Sequence, residues 1–142
     1  MLIILIMQLF VVTCFANESR TNIIYYEDGS YIVETIEVSK SRASGTVTGS
    51  KTKTYYNDKG IAEWKAVLNG SFSYTGSSAT CTSSSVNVTV YDSSWYTISK
   101  SATKSGNTAS ASVTMGCKLL GITTNRITVT PTLSCDANGN LS

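Results

Sequence analysis

The chain is predicted to be all-β, an antiparallel sandwich, and three observations predict it. Apolar side chains fall on every second residue over long stretches: Ala62, Trp64, Ala66, Leu68, Phe72 and Tyr74 share one phase, while Glu63, Lys65, Asn69, Ser71 and Ser73 take the other. That is the period of a half-buried strand. Short clusters such as Asn57-Asp58-Lys59-Gly60 separate these stretches and carry the chemistry of tight turns. Ser and Thr make up about a third of the residues after position 16, yet Val, Ile, Leu and aromatics interleave with them at period two, which argues against disorder. No stretch carries a helical period.

The N-terminal run MLIILIMQLFVVTCFA is almost wholly apolar, and the first charge is Glu18. It reads as a secretory signal over residues 1–16 with cleavage after Ala16, although the positive n-region is missing. A membrane anchor asks for roughly 20 apolar residues. A lipoprotein reading through Val11-Val12-Thr13-Cys14 would put an unusual Thr just before the lipidated Cys. The expectation is a secreted protein with no transmembrane domain in the mature chain. Residues 17–22 are polar and expected to fray, and 23–142 form one domain, since 142 residues leave no room for a second core.

Ile23 to Tyr26 and Tyr31 to Ser39 flank a turn at Glu27-Asp28-Gly29-Ser30, but the second arm mixes its phases and its buried side is not assignable. The hairpin from Gly45 to Thr75 turns at Asn57 to Gly60, where Gly60 supplies the positive φ of a short loop. Val86, Val88 and Val90 alternate with Asn87 and Thr89 as the next strand. Trp95 to Thr103 and Thr108 to Leu119 form a second hairpin, with Ala109, Ala111, Val113, Met115, Cys117 and Leu119 in one phase. After a reversal at Gly121 to Asn125, the run Ile127 to Cys135 alternates again, and Pro131 within it marks an edge or bulged strand. Short turns between many strands argue for a sandwich, with a small β-barrel as the alternative.

Cys81, Cys117 and Cys135 lie beyond the leader, an odd number where disulfides persist, so one bridge and one spare thiol are expected. Cys81 and Cys135 end strand-like runs where a bridge staples a core, whereas Cys117 shares a phase with Val113 and Met115 and reads as a buried thiol. A Cys81 to Cys135 bridge would close a loop of roughly 55 residues, worth about 4 kcal/mol on the chain-entropy view. Cys81, Trp95 and Cys135 invite comparison with the immunoglobulin pattern of a Trp against an intersheet bridge. Leu133 stands where a Tyr is expected, and the chain after Cys135 is too short for the closing strand, so the sandwich is immunoglobulin-like with a different strand order.

Chemistry is sparse. There is no His, which excludes a His-assisted nucleophile. A net charge of +2 with scattered Lys and Arg leaves no electrostatic footprint for nucleic acid or anionic lipid. Ser50 to Lys53 and Ser101 to Lys104 match Ser-x-x-Lys, but residues three apart on a strand face opposite ways. Glu63, Asp92, Asp58, Asp28, Glu34 and Glu37 offer carboxylates, most of them in turns where Asp serves local hydrogen bonds. Asp136 to Asn140 resembles the opening of a calcium loop but lacks its Gly order and its Glu. No metal or other cofactor is expected. The aromatic neighbours Tyr25-Tyr26, Tyr55-Tyr56, Tyr91 and Trp95-Tyr96 are the promising group, because in a strand one of each pair faces outward. Exposed rings stack on sugars or anchor proteins, and cross-strand rings otherwise stabilise the sheet. Trp64, Trp95, Tyr55 and Tyr96 are the candidate binding residues.

The runs SKTKTYYNDKG with Trp64 following, SFSYTGSSATCTSSS, DSSWYTISKSATKSGNTAS and TLSCDANGNLS resemble a family of small secreted proteins from Gram-positive bacteria. The resemblance covers about residues 45–142. It implies export, a β-rich fold and the Cys81 to Cys135 bridge, with Cys117 as a departure, and it implies no activity. The expected function is a non-enzymatic contact module at the cell envelope or on an extracellular glycan or protein. The alternative is a small polysaccharide hydrolase, which requires two of Glu63, Asp92, Glu34 and Glu37 in one cleft.

Overall fold

A computed structural model describes residues 6–9, 19–40 and 45–142. Those residues form strands and no helix, arranged as two antiparallel sheets. The larger sheet takes β1 (Ile6–Leu9), β2 (Ser19–Tyr25), β3 (Tyr31–Lys40), β4 (Thr46–Tyr56), β5 (Ala62–Tyr74) and β6 (Ala79–Val90) side by side in chain order. In the smaller sheet β7 (Trp95–Ser105) pairs with β8 (Thr108–Leu119), whose far edge carries first β9 (Ile122–Val129) and then β10 (Thr132–Ser134). Both sheets are open, so the architecture is a sandwich and not the barrel alternative. Within the larger sheet every connection joins neighbouring strands, and in the smaller sheet β10 alone departs from chain order by pairing with β8. The likeness to immunoglobulin domains therefore stops at two packed antiparallel sheets, since that fold is wired by Greek keys. Among the described residues no helix is long and apolar enough to cross a membrane.

Local chemistry explains the boundaries. At the β4–β5 turn the Asn57 side chain accepts the Lys59 and Ile61 amides at 3.0 Å each, and Gly60 adopts the positive φ of 77° expected of it. Pro131 is where the last alternating run breaks into β9 and β10. Its ring cannot donate to a ladder, but its carbonyl accepts Ala111 N at 3.0 Å, and both pieces occupy an edge. The expectation that residues 17–22 fray is corrected for Ser19 to Asn22, which belong to β2 and pair with Glu34 to Glu37 of β3. Backbone hydrogen bonding holds this segment regardless of its polar side chains. Ile6–Leu9, within the stretch read as a leader, pairs with Thr21 to Ile24. Asn17, Glu18 and the expected cleavage point at Ala16 lie outside the described residues.

The core lies between the sheets in two adjoining clusters. One gathers Val38, Val47, Leu68, Phe72, Cys81, Ala109, Leu133 and Leu141. The other gathers Ile32, Tyr55, Trp64, Trp95, Met115, Ile127 and Val129. On β5 the buried residues are the predicted phase, Trp64 to Phe72. On β3 the inner phase is Ile32, Glu34, Ile36 and Val38, so a charged residue among apolar ones is what blurred its pattern. Glu34 meets Lys53 at 3.0 Å and Lys51 at 3.9 Å there. Burial lowers the Lys51 amine from its usual range, with Glu34 opposing and Lys53 reinforcing. Leu119, in phase with the β8 core, is 65 % exposed because the β8–β9 hairpin runs on past the larger sheet's cover.

Candidate ligand-contact surface

Three of the four rings expected to face a ligand are interior. Trp64 is 0 %, Tyr55 4 % and Trp95 6 % exposed. Tyr55 stacks on Trp64 at 5.5 Å and meets Trp95 edge-on at 5.2 Å, while the two indoles lie 5.9 Å apart. This correction has a simple cause: Tyr55 and Trp64 share the phase of β4 and β5 that the smaller sheet covers, and Trp95 of β7 points inward from that smaller sheet to meet them, so all three form core rather than platform. Burial raises the Tyr55 phenol above its ordinary value, with a hydrogen bond to Ser30 pulling the other way. Tyr96 is half-buried on the outside of the smaller sheet. Its ring lies over Gly116, its hydroxyl pairs with that of Thr123 at 2.6 Å, and Lys118 Nζ sits 4.4 Å from its centroid.

The aromatics that do reach the surface lie in the opposite phase. Register aligns Tyr25, Tyr31 and Tyr56 across the outer face of the larger sheet. Tyr31 and Tyr56 stack at 5.0 Å, and Tyr25 tilts against Tyr31 at 5.5 Å. Beside this row runs an open groove of about 700 Å³, with hydroxyls from Thr35, Thr52 and Thr54, charges from Glu37 and Lys65, and Tyr56 and Tyr91 at one end. Tyr91 is 52 % exposed. The groove exists because nothing among the described residues packs on this face, whose side chains are mostly Thr and Ser. Its signal in the sequence was the adjacency of Tyr55 and Tyr56: one had to point in and one out, and it is Tyr56 that points out.

The carboxylates are dispersed. Glu63 Oε2 accepts the Trp95 indole N–H at 2.6 Å, and its Oε1 accepts Asn57 Nδ2 at 3.2 Å. Asp92 and Asp28 each accept the amide and hydroxyl of a serine two residues on, Ser94 and Ser30, which holds both below the usual carboxylate range. Glu34 is on the inner face with Lys53, while Glu37 lines the outer groove. Ser50 likewise lines that groove and Lys53 does not, so the first Ser-x-x-Lys pair is split between faces. Asp136 spends its Oδ1 on the Asn138 and Asn140 amides, both at 2.9 Å, as turn chemistry requires.

No disulfide joins the described cysteines Cys81, Cys117 and Cys135, which corrects the expected Cys81 to Cys135 bridge. Both belong to one core cluster, and their amides bond the adjacent carbonyls of Gly106 and Asn107. Each thiol is instead turned to a local carbonyl, Cys81 to Ser83 and Cys135 to Asp136, both at 3.3 Å. Nor does Trp95 pack on this pair, since it sits in the other cluster. Burial pushes the Cys81 thiol up, with Lys104 partly offsetting it. Iodoacetamide at neutral pH is therefore expected to modify Cys81 only after denaturation, because the thiolate is the reactive form. Peptide mapping that finds Cys81 alkylated in the native protein would contradict this. No protein-family model matches the chain, and neither a curated protein nor a solved structure is found similar to it.

Proposed function

We propose that the protein is an exported, non-enzymatic contact module of the cell envelope, and that the outer face of its larger sheet binds a polysaccharide. The observation that carries this reading is the tyrosine row beside a groove of hydroxyls. Sugars present apolar faces that stack on aromatic rings and hydroxyls that pair with Thr, Ser and charged groups. The apolar run at residues 1–16 and the resemblance to small secreted proteins of Gram-positive bacteria support export.

A hydrolase needs two carboxylates about 5 to 10 Å apart on one substrate. Of Glu63, Asp92, Glu34 and Glu37, only Glu37 lines the groove, which favours contact over cleavage. The test is retention of the purified protein on insoluble polysaccharide and on isolated envelope. Wild type is expected to bind saturably, and Tyr91→Ala to weaken it about tenfold, or about 1.4 kcal/mol, without moving the melting temperature. Binding that Tyr91→Ala and Tyr56→Ala both leave intact would remove the groove from the account.

A further inference from the structure

The β8–β9 hairpin ends in Leu119, Leu120, Gly121 and Ile122, with the three large side chains 65 %, 95 % and 70 % exposed in chain order. Leu119 pairs with Ile122, so Leu120 and Gly121 are the two central turn residues, with φ of 51° and 78°. Two-residue turns with both φ positive favour Asn-Gly, and a leucine there is strained. Among the described residues Leu120 is the non-glycine residue with positive φ. The strain is not repaid by packing. The hairpin thus breaks a backbone rule in order to present an aliphatic side chain to solvent, which points to function and not to stability.

What lies behind the tip indicates the occupant. Lys118 pairs with Thr123 one step back, and Arg126 with Gly116 about three steps back, so at about 3.3 Å per residue the cations trail the apolar layer by roughly 3 and 10 Å. From Gly116 to Cys135 the chain has no acidic residue. Asp92, carried by the turn whose Ser94 carbonyl accepts the Lys118 amide, is engaged by the Ser94 amide and hydroxyl. Lys118 is held over the Tyr96 ring, an amphipathic side chain suited to an interface. An apolar point, then hydroxyls and ammonium, then guanidinium, follows the order of acyl chain, interface and phosphate, at the depth of about 5 to 10 Å used by interfacial anchors.

We infer that the β8–β9 tip inserts into an anionic lipid surface. The overall charge of +2 is too small to adsorb the protein by itself. The apolar tip supplies the penetration, and Lys118 and Arg126 select anionic headgroups. This deepens the envelope-contact reading and uses residues separate from the tyrosine groove.

Co-sedimentation with phosphatidylcholine vesicles, with and without phosphatidylglycerol, tests it. Wild type is expected to partition onto the phosphatidylglycerol vesicles and to leave them as salt rises. Leu120→Asn is expected to cut partition at least tenfold while raising the melting temperature, because Asn suits the turn, and to leave polysaccharide retention unchanged. No partition by wild type, or equal partition by Leu120→Asn, overturns the insertion. Equal binding to pure phosphatidylcholine overturns the anionic selectivity. Loss of polysaccharide retention with lipid binding intact would sink the groove and not the tip.

Discussion

Glu63→Ala is expected to lower the stability of the domain by about 3 kcal/mol, shifting the melting temperature down by about 10 °C. Glu63 is the extra residue where the β4–β5 ladder changes register between Tyr55 and Tyr56. A bulge re-aims a side chain, and here it carries the carboxylate over to Trp95 Nε1 at 2.6 Å and Asn57 Nδ2 at 3.2 Å. The Glu63 carbonyl also accepts the Tyr91 and Asp92 amides, at 2.8 and 3.1 Å. One residue thus ties together the β4–β5 turn, the β6–β7 turn and the first residue of the smaller sheet. Removing the side chain strands the Trp95 indole N–H in the interior, and a hydrogen bond to a charged acceptor is among the stronger ones. Glu63→Gln keeps an acceptor oxygen and is expected to cost about 1 kcal/mol. Urea titration followed by tryptophan emission reads both. A Glu63→Ala midpoint equal to wild type would show that the bond contributes nothing.

Gly70→Val is expected to cost about 3 kcal/mol, with Gly70→Ala at about 2. Gly70 faces inward on β5 and pairs with Gly49 of β4 and Ser84 of β6. A Cβ there would stand 2.8 and 2.9 Å from Phe72 ring carbons and 3.2 Å from Ala109 Cβ on the opposite sheet. Phe72 is itself buried and has no room to swing aside. Across the pair, a Cβ on Gly49 would run into Leu141 and stand 2.9 Å from the Glu37 carbonyl. The two glycines therefore form a flat patch that lets Ala109, Leu133 and Leu141 approach, and added volume pushes the sheets apart. If differential scanning calorimetry finds Gly70→Val as stable as wild type, the sheets are not packed this closely.

Much of this was legible in the residues. Turn chemistry at Asn57 to Gly60 and at Asp92 to Ser94 places the reversals, and Pro131 marks the edge strand. Even the burial of Trp64 was written in its phase, shared with Leu68 and Phe72. What obscured it was β4, where Lys51 and Lys53 share the inner phase with Tyr55 and Val47, so the alternation there favours neither face. The thiols misled for a related reason: two cysteines carried by opposite sheets, Cys81 on β6 and Cys135 just after β10, share a core cluster without their sulfurs turning toward each other.

The sequence by itself determined the strands, their turns and, for most of them, which residues share a face, because these follow from a period of two and from local hydrogen bonding. Only the tertiary structure decided which faces are covered. With its own Trp95 turned inward, the smaller sheet covers Tyr55 and Trp64 and turns candidate ligand contacts into core. It leaves the Tyr25, Tyr31 and Tyr56 row open, and its own β8–β9 hairpin overshoots, exposing Leu119, Leu120 and Ile122. Alternation assigns a side chain to a face but says nothing of what packs there, since coverage depends on contacts between strands far apart in the chain.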